Sequence, residues 1–429
     1  MLVVALVIWT DAGGHYSRVK AVSRIALVLL AIVSGATCAG WLVEPLGRTQ
    51  QGARAGGSGT KETAADWQAI FAEGESSLRN GDLDAAQNSF NKVLKLNPKA
   101  AYAYANLGVI AMRRKQWATA LENLRKAEQL APEVAGIRVN IGLAYYRQND
   151  FQHAIPRFES VVKDQPDSLQ ARYLLGQCYF FTSRYVEATD TLEPLWAQQS
   201  KDLNYLYVLA IAADKAERKE LGERALARLA EVGGDSAEVH LLMGKAMLNL
   251  AAYDDAVREL TAALERDPKL PFAHYNLGMV HSQKGEYEKA RAEFLKDIEL
   301  EPDVVFDYAE LGNVYFLMEN DREAEKNYQQ AIQLDPQMLE AHLGLAKVYQ
   351  RQGQNEKALS ELDAAGKLDP SLSRIHYLRG QILIKMGRPE EGKKELQTSV
   401  AMSSASREKR EKELEGEPVP NREKPQDPQ

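Results

Sequence analysis

The chain has 429 residues, 45% hydrophobic and 26% charged, which excludes a wholly disordered protein and a wholly membrane-embedded one. It carries 53 basic and 60 acidic residues, a net charge of -7, so the basic surplus of a general nucleic-acid binder is missing. Its two cysteines, Cys38 and Cys178, exclude a disulfide scaffold and a Cys-rich zinc module.

Residues 1–43 stand apart from the rest. Basic residues at Arg18, Lys20 and Arg24 precede the apolar run IALVLLAIV, residues 25–33, and the small residues SGATCAG. Those are the three parts of a secretory signal peptide. The run is short beside the ~20 apolar residues of a membrane span. A longer, weaker apolar stretch over 21–43 leaves a retained anchor as the alternative, with membrane association through residues 19–43. Starting at Val19 instead of Met1 would give a compact signal. Either reading expects an exported bacterial protein, periplasmic or anchored facing the extracytoplasmic side. Residues 44–63 are rich in Gly, Gln, Arg and Thr and are expected to be a flexible linker.

From Trp67 the sequence repeats every 34 residues, in ten units beginning at 67, 101, 135, 169, 203, 237, 271, 305, 339 and 373. Position 8 is Gly or Ala throughout, as in Gly108, Gly142, Gly176, Gly244 and Gly312. Position 20 is likewise small, as in Ala86, Ala120, Ala154 and Ala324. Positions 4, 7, 8 and 11 share one helical face, and 17, 20, 24 and 27 share another. Each unit therefore predicts two helices crossing at the small residues. Position 24 is large in every unit, from Phe90 and Leu124 to Tyr328 and Leu396. Gly81, Gly285 and Gly353, at position 15, mark the turn between the helices. Proline at position 32, as in Pro98, Pro132 and Pro302, ends the second helix.

This pattern resembles the tetratricopeptide repeat (TPR) family over residues 67 to about 404. The seventh unit carries it most fully, with Asn276, Leu277, Gly278, Gly285, Tyr287, Ala290, Phe294 and Pro302. The resemblance implies an all-α fold, a right-handed α-solenoid of about ten helix-turn-helix repeats. Units 1–4 would occupy 64–202 and units 6–10 would occupy 237–404. The fifth unit, 203–236, is degenerate, with Ala210, Lys219, Gly222 and Gly233-Gly234. Together with Pro194 inside the preceding helix, it is the expected place for a bend. Polar Glu73 and Arg379 at position 7 suit terminal repeats that face water. Residues 405–429 are charged and Pro-rich and are expected to be disordered, apart from a short helical continuation to about Leu414.

No catalytic motif of the GxxxxGK, HExxH or GxSxG type occurs, and no enzyme activity, cofactor or metal is expected. His240, His274, His342 and His376 all fall at position 4. They read as core or interface residues, since no partner Cys, Asp or Glu falls at matching spacing. Cys178 reads as a small buried side chain. The resemblance further implies a concave groove lined by the first helices at positions 2, 5, 6, 9, 12 and 13. Here these give Tyr102, Asn106, Val109, Met112, Asn140, Leu143, Tyr146, Tyr173, Phe180 and Phe181, then Phe272, Asn276, Met279, Phe306, Asn313, Phe316 and Leu317. Asn106, Asn140 and Asn276 would form a partial ladder for peptide backbone. Basic residues at position 13, such as Arg113 and Arg351, suit helix C-termini. The expected function is a scaffold or adaptor holding a peptide segment of a protein partner, in an exported or cell-envelope assembly. A docking subunit of a polysaccharide-export or carbohydrate-modifying system is one alternative. A self-associating assembly protein is another.

Overall fold

The structure is a computed structural model that describes residues 61–415, with helices joined by turns and no strand among them. The expected signal or anchor segment, the start at Val19, and residues 44–60 and 416–429 lie outside the described residues. First helices begin at Ala101, Ala135, Leu169, Leu203, Ala237, Val305, Leu339 and Ser373, each at position 1 of its repeat. Two depart from the register. The first unit's helix, Lys61–Arg79, starts inside the expected linker. The seventh begins only at Ala273, because Pro271 stands at position 1 and Phe272 holds φ at +66°. The last helix, Pro389–Glu415, runs to the point expected for the helical continuation near Leu414.

The small residues at positions 8 and 20 are where the two helices of a repeat meet. A Cβ added at Gly142 would lie 2.6 Å from the ring of Phe158, and one at Gly176 would lie 2.5 Å from Leu192. Real Cβ atoms do not come so close, so glycine sets how deeply the position-24 side chain seats. Ala86, Ala120, Ala154, Ala188, Ala256, Ala290, Ala324 and Ala358 are all fully buried on the other side of that contact.

The turn between helices has one backbone solution. Position 15 has positive φ in all ten repeats, whether it is Gly81 (+83°) or Gly285 (+73°), or Lys115 (+59°), Ala251 (+57°) or Glu319 (+59°). Glycine reaches this region without cost, and the others are held there by the packing on both sides.

The described residues form two compact units, 61–280 and 281–415. In the first, one buried core runs from Phe71 to Ala246 without a break at the fifth repeat. The helix Leu203–Lys215, inside the expected bend, is buried at every position from Asn204 to Ala213. The degenerate positions are thus absorbed by packing. Pro194 does interrupt the preceding helix: Tyr185–Leu192 gives way to a 3-10 turn over Glu193–Leu195, then to Trp196–Gln199. Gly234, at φ +59°, ends the fifth repeat where others use proline. In the second unit the core gathers around Tyr328, from Val305 to Ile382.

Candidate functional site

In the 61–280 unit, the residues expected to line a groove are closed in. Asn106, Val109, Met112, Asn140, Leu143, Tyr146, Tyr173, Phe180, Phe181, Phe272, Asn276 and Met279 are buried, and only Tyr102 is half-buried. Several are committed to the turns between helices. Phe181 stacks on Phe151 of the previous repeat at 4.9 Å, and Phe180 meets Tyr185 edge-on at 6.0 Å. Tyr146 donates its hydroxyl hydrogen to Gln177 Oε1 at 2.7 Å. Sequence spacing gives the register of these side chains but not which neighbour claims them.

Asparagine follows the same pattern. Asn276 Nδ2 donates to the carbonyl of Phe272 at 2.7 Å, inside its own helix. Asn313 Nδ2 donates to Glu310 at 3.1 Å, and Asn313 Oδ1 accepts from Tyr328 at 2.6 Å. Those two amides bond within the chain, Asn276 from the ladder position and Asn313 three positions further along its repeat.

Three of the position-13 cations cap the neighbouring first helix. Arg113 donates to the carbonyl of Leu78 (2.7 Å), Arg351 to that of Phe316 (3.0 Å) and Lys385 to that of Gln350 (3.3 Å). Each acceptor is one of the last carbonyls of the preceding repeat's first helix, where donors are otherwise lacking.

The 281–415 unit presents an open face at the same repeat positions. Phe306, Asn313 and Phe316 are half-buried, and Leu317 is 49% exposed. The tenth repeat adds Tyr377, 48% exposed, at position 5 and Ile384, 43% exposed, at position 12. The Arg351 guanidinium lies 3.8 Å from the centre of the Phe316 ring, a cation–π contact, and donates to Asp321. Sequence reasoning passed over Tyr377 and Ile384, although their register was legible, because the tenth repeat read as a cap.

Each unit also holds a buried charge on a first helix. Burial pushes the Glu310 carboxyl up to about 7. It pushes the Lys245 ammonium, at position 9 of the sixth repeat and 5.4 Å from the Tyr207 ring, down to about 8. Burial also raises the Cys178 thiol pKa well above its ordinary value, which fits a packing role and not a reactive one.

The position-4 histidines need a correction. A carboxylate does recur at matching spacing, because a Glu follows each of the four by 19 residues. His240 Nδ1 lies 2.7 Å from Glu259, His342 Nδ1 2.6 Å from Glu361 and His376 Nδ1 2.6 Å from Glu395. The pairs join the first and second helices of one repeat. Among the described residues no group of three or more His, Cys, Asp or Glu could hold a metal ion.

Comparison with known proteins agrees with the repeat. Three tetratricopeptide repeat family models match residues 71–135 and 241–302, 145–212 and 319–382, and 373–405. Among solved structures, MamA from Desulfovibrio magneticus RS-1 is 19% identical, with a TM-score of 0.38 over 40% of this chain and 97% of that one. YrrB, described as a TPR protein with an unusual peptide-binding site, is 21% identical, with a TM-score of 0.36 over 42% and 92%. A monomeric mutant of IFIT1 solved with Gppp-AAAA is 14% identical, with a TM-score of 0.44 over 78% and 90%. No curated protein sequence matches the chain.

Proposed function

The chain belongs to the tetratricopeptide repeat family, and from that premise we propose that it is a non-enzymatic scaffold that binds a segment of a partner protein. The observation that carries this reading is the open apolar face of the 281–415 unit. Leu317, Tyr377 and Ile384 are each more than 40% exposed, and all lie at the first-helix positions assigned to the groove. Large apolar side chains left in water gain about 25 cal/mol for each Å² that a partner covers. Arg351 and Lys385 border them, with their donors directed at helix ends. The segment bound would be extended or helical, seating apolar side chains between these residues.

Work outside the cytoplasm belongs to the same proposal. Its support is the order of basic, apolar and small residues over 18–40. Fractionation of cells producing the tagged chain tests it, and a cytoplasmic pool alone would count against export.

The binding reading is tested by crosslinking in the native cell with the full chain as bait. The comparison is a Leu317→Asp, Tyr377→Ala, Ile384→Asp variant, with circular dichroism to confirm that it folds. A partner held by the wild type and lost from the folded variant supports the reading. Identical partners on both would move function away from this face.

A further inference from the structure

Four repeats have His at position 4, and these same four have Glu at position 23: His240 with Glu259, His274 with Glu293, His342 with Glu361 and His376 with Glu395. The six repeats without His at position 4 have Ser89, Asn123, Arg157, Thr191, Ala225 and Asn327 at position 23. The two positions therefore change together within one chain. Neither residue type belongs to the helix-crossing pattern that defines the repeat.

The geometry says what the pair does. His342 is buried, with Nδ1 2.6 Å from Glu361 Oε2 and Nε2 3.1 Å from the carbonyl oxygen of Pro336. A neutral imidazole has one N–H and one bare nitrogen. Both ring nitrogens here face oxygen acceptors, so the site needs a second proton, on the imidazole or on the carboxyl it touches. His240 is held the same way, between Glu259 at 2.7 Å and Asp235 at 2.9 Å. The guanidinium of Arg266 bonds Asp235 from the other side. His376 meets Glu395 at 2.6 Å, with Arg379 3.9 Å from the same carboxylate.

We propose that the repeats of His240 and His342 carry proton-operated clasps, in which the protonated His–Glu pair fastens the first helix to the second helix of its own repeat. The pair that defines a clasp bridges two helices through side chains alone. When the proton leaves, the imidazole keeps one N–H and turns its other nitrogen bare toward an oxygen, so one contact becomes repulsive and the tie between the two helices falls from a charged to a neutral hydrogen bond. The repeats that hold the clasps are thus tighter in mildly acidic surroundings than in alkaline ones, whichever partner the scaffold carries.

The direction of the titration agrees. Burial alone would lower the pKa of His240 and His342. The hydrogen bonds that the imidazoles donate, His240 to Asp235 and Glu259 and His342 to Glu361 and the Pro336 carbonyl, outweigh it and leave both raised. A histidine raised in the folded state stabilises most below its unfolded value of about 6.5, and that stability is lost as pH rises through the folded value.

The test is a pH titration of histidine ring protons by NMR, on the full chain labelled at histidine and assigned by single substitutions. His240 and His342 are expected to titrate above about 6.5, the midpoint of a free histidine. Glu361→Gln is expected to move the His342 midpoint downward and leave that of His240 in place. Midpoints at or below the free value in the wild type overturn the proposal, and so does a His342 midpoint that ignores Glu361→Gln. If that variant does not fold, the wild-type titration still decides. The fastening is read separately, from urea midpoints at pH 6 and pH 8.5. The wild type is expected to lose stability between them. The His240→Gln, His342→Gln variant is expected to lose less, the remainder being the alkaline decline of the buried Asp307 carboxyl, and equal losses would remove the clasp.

Discussion

Tyr328 donates a 2.6 Å hydrogen bond to Asn313 Oδ1 from a ring that rests on Gly344. Three repeat positions are linked by this arrangement. Other repeats place Leu or Phe at position 24, and only the eighth has a tyrosine there. The larger side chain reaches into the next repeat, where a Cβ on Gly344 would lie 2.3 Å from it. Gly344→Ala should therefore cost about 1–3 kcal/mol through overpacking. Tyr328→Phe should cost a similar ~1–3 kcal/mol by leaving the amide oxygen without its donor. Urea denaturation measures both. An effect of Gly344→Ala within error of zero would mean that the ring can move aside.

Ala251 occupies the turn position at φ +57°, where Gly285 and Gly353 sit without strain. A left-handed alanine costs about 1–2 kcal/mol, while glycine gives back part of that through the unfolded chain. Ala251→Gly is expected to stabilise the protein by about 0.5–1 kcal/mol, and thermal unfolding checks it. The same change at Ala256, inside a helix, should be destabilising.

Asp307 is fully buried at position 3, where other repeats bury Ala103, Ile137, Val239 or Ala341. Asp297, buried at position 27, replaces the residue that is Val93, Val161 or Ala331 elsewhere. Burial, with the Asp297 charge beside it, pushes the Asp307 carboxyl up to about 10. The folded state keeps a proton that the unfolded chain releases near pH 4, so this group removes stability as pH rises from about 4 toward 10. Asp307→Ala should raise the melting temperature at pH 8 by at least about 2 °C, corresponding to at least roughly 0.5 kcal/mol in a unit of this size. It should also flatten the alkaline decline. A lower melting temperature at pH 8 would show that the carboxyl makes a bond worth more than its burial costs.

Cys178 has no exposed surface, and burial raises its thiol pKa. In a Cys38→Ala background, a thiol reagent at pH 8 should label Cys178 only after denaturant is added. Labelling of the native chain at the rate of a free thiol would place it on a surface.

The helices were legible because the repeat writes its steric rule ten times. Gly142 and Phe158, sixteen residues apart, recur as small and large at the same offset in every unit, and a contact so constrained leaves a signature in composition. The groove was legible only as a register. Val109 and Leu317 are both apolar at groove positions, yet one is fully buried and the other about half exposed. Periodicity assigns a face, but the exposure of that face depends on what packs across it. The weak consensus of the fifth repeat has the same cause. Ala210 and Gly222 weaken the consensus, but Tyr205, Leu206 and Leu209 fill the space in their place.

Sequence alone determined the fold family, the register of the first helices from Ala101 onward apart from the seventh, and the buried small residues, because those follow from local spacing and the bulk that two crossing helices tolerate. Tertiary structure decided the rest. It tied Asn276 and Asn313 to partners within the chain, turned Arg113, Arg351 and Lys385 onto neighbouring carbonyls and set His342 between two acceptors. A side chain's chemistry is set by the atoms within about 3 Å of it. In a stacked repeat, many of those atoms come from another helix.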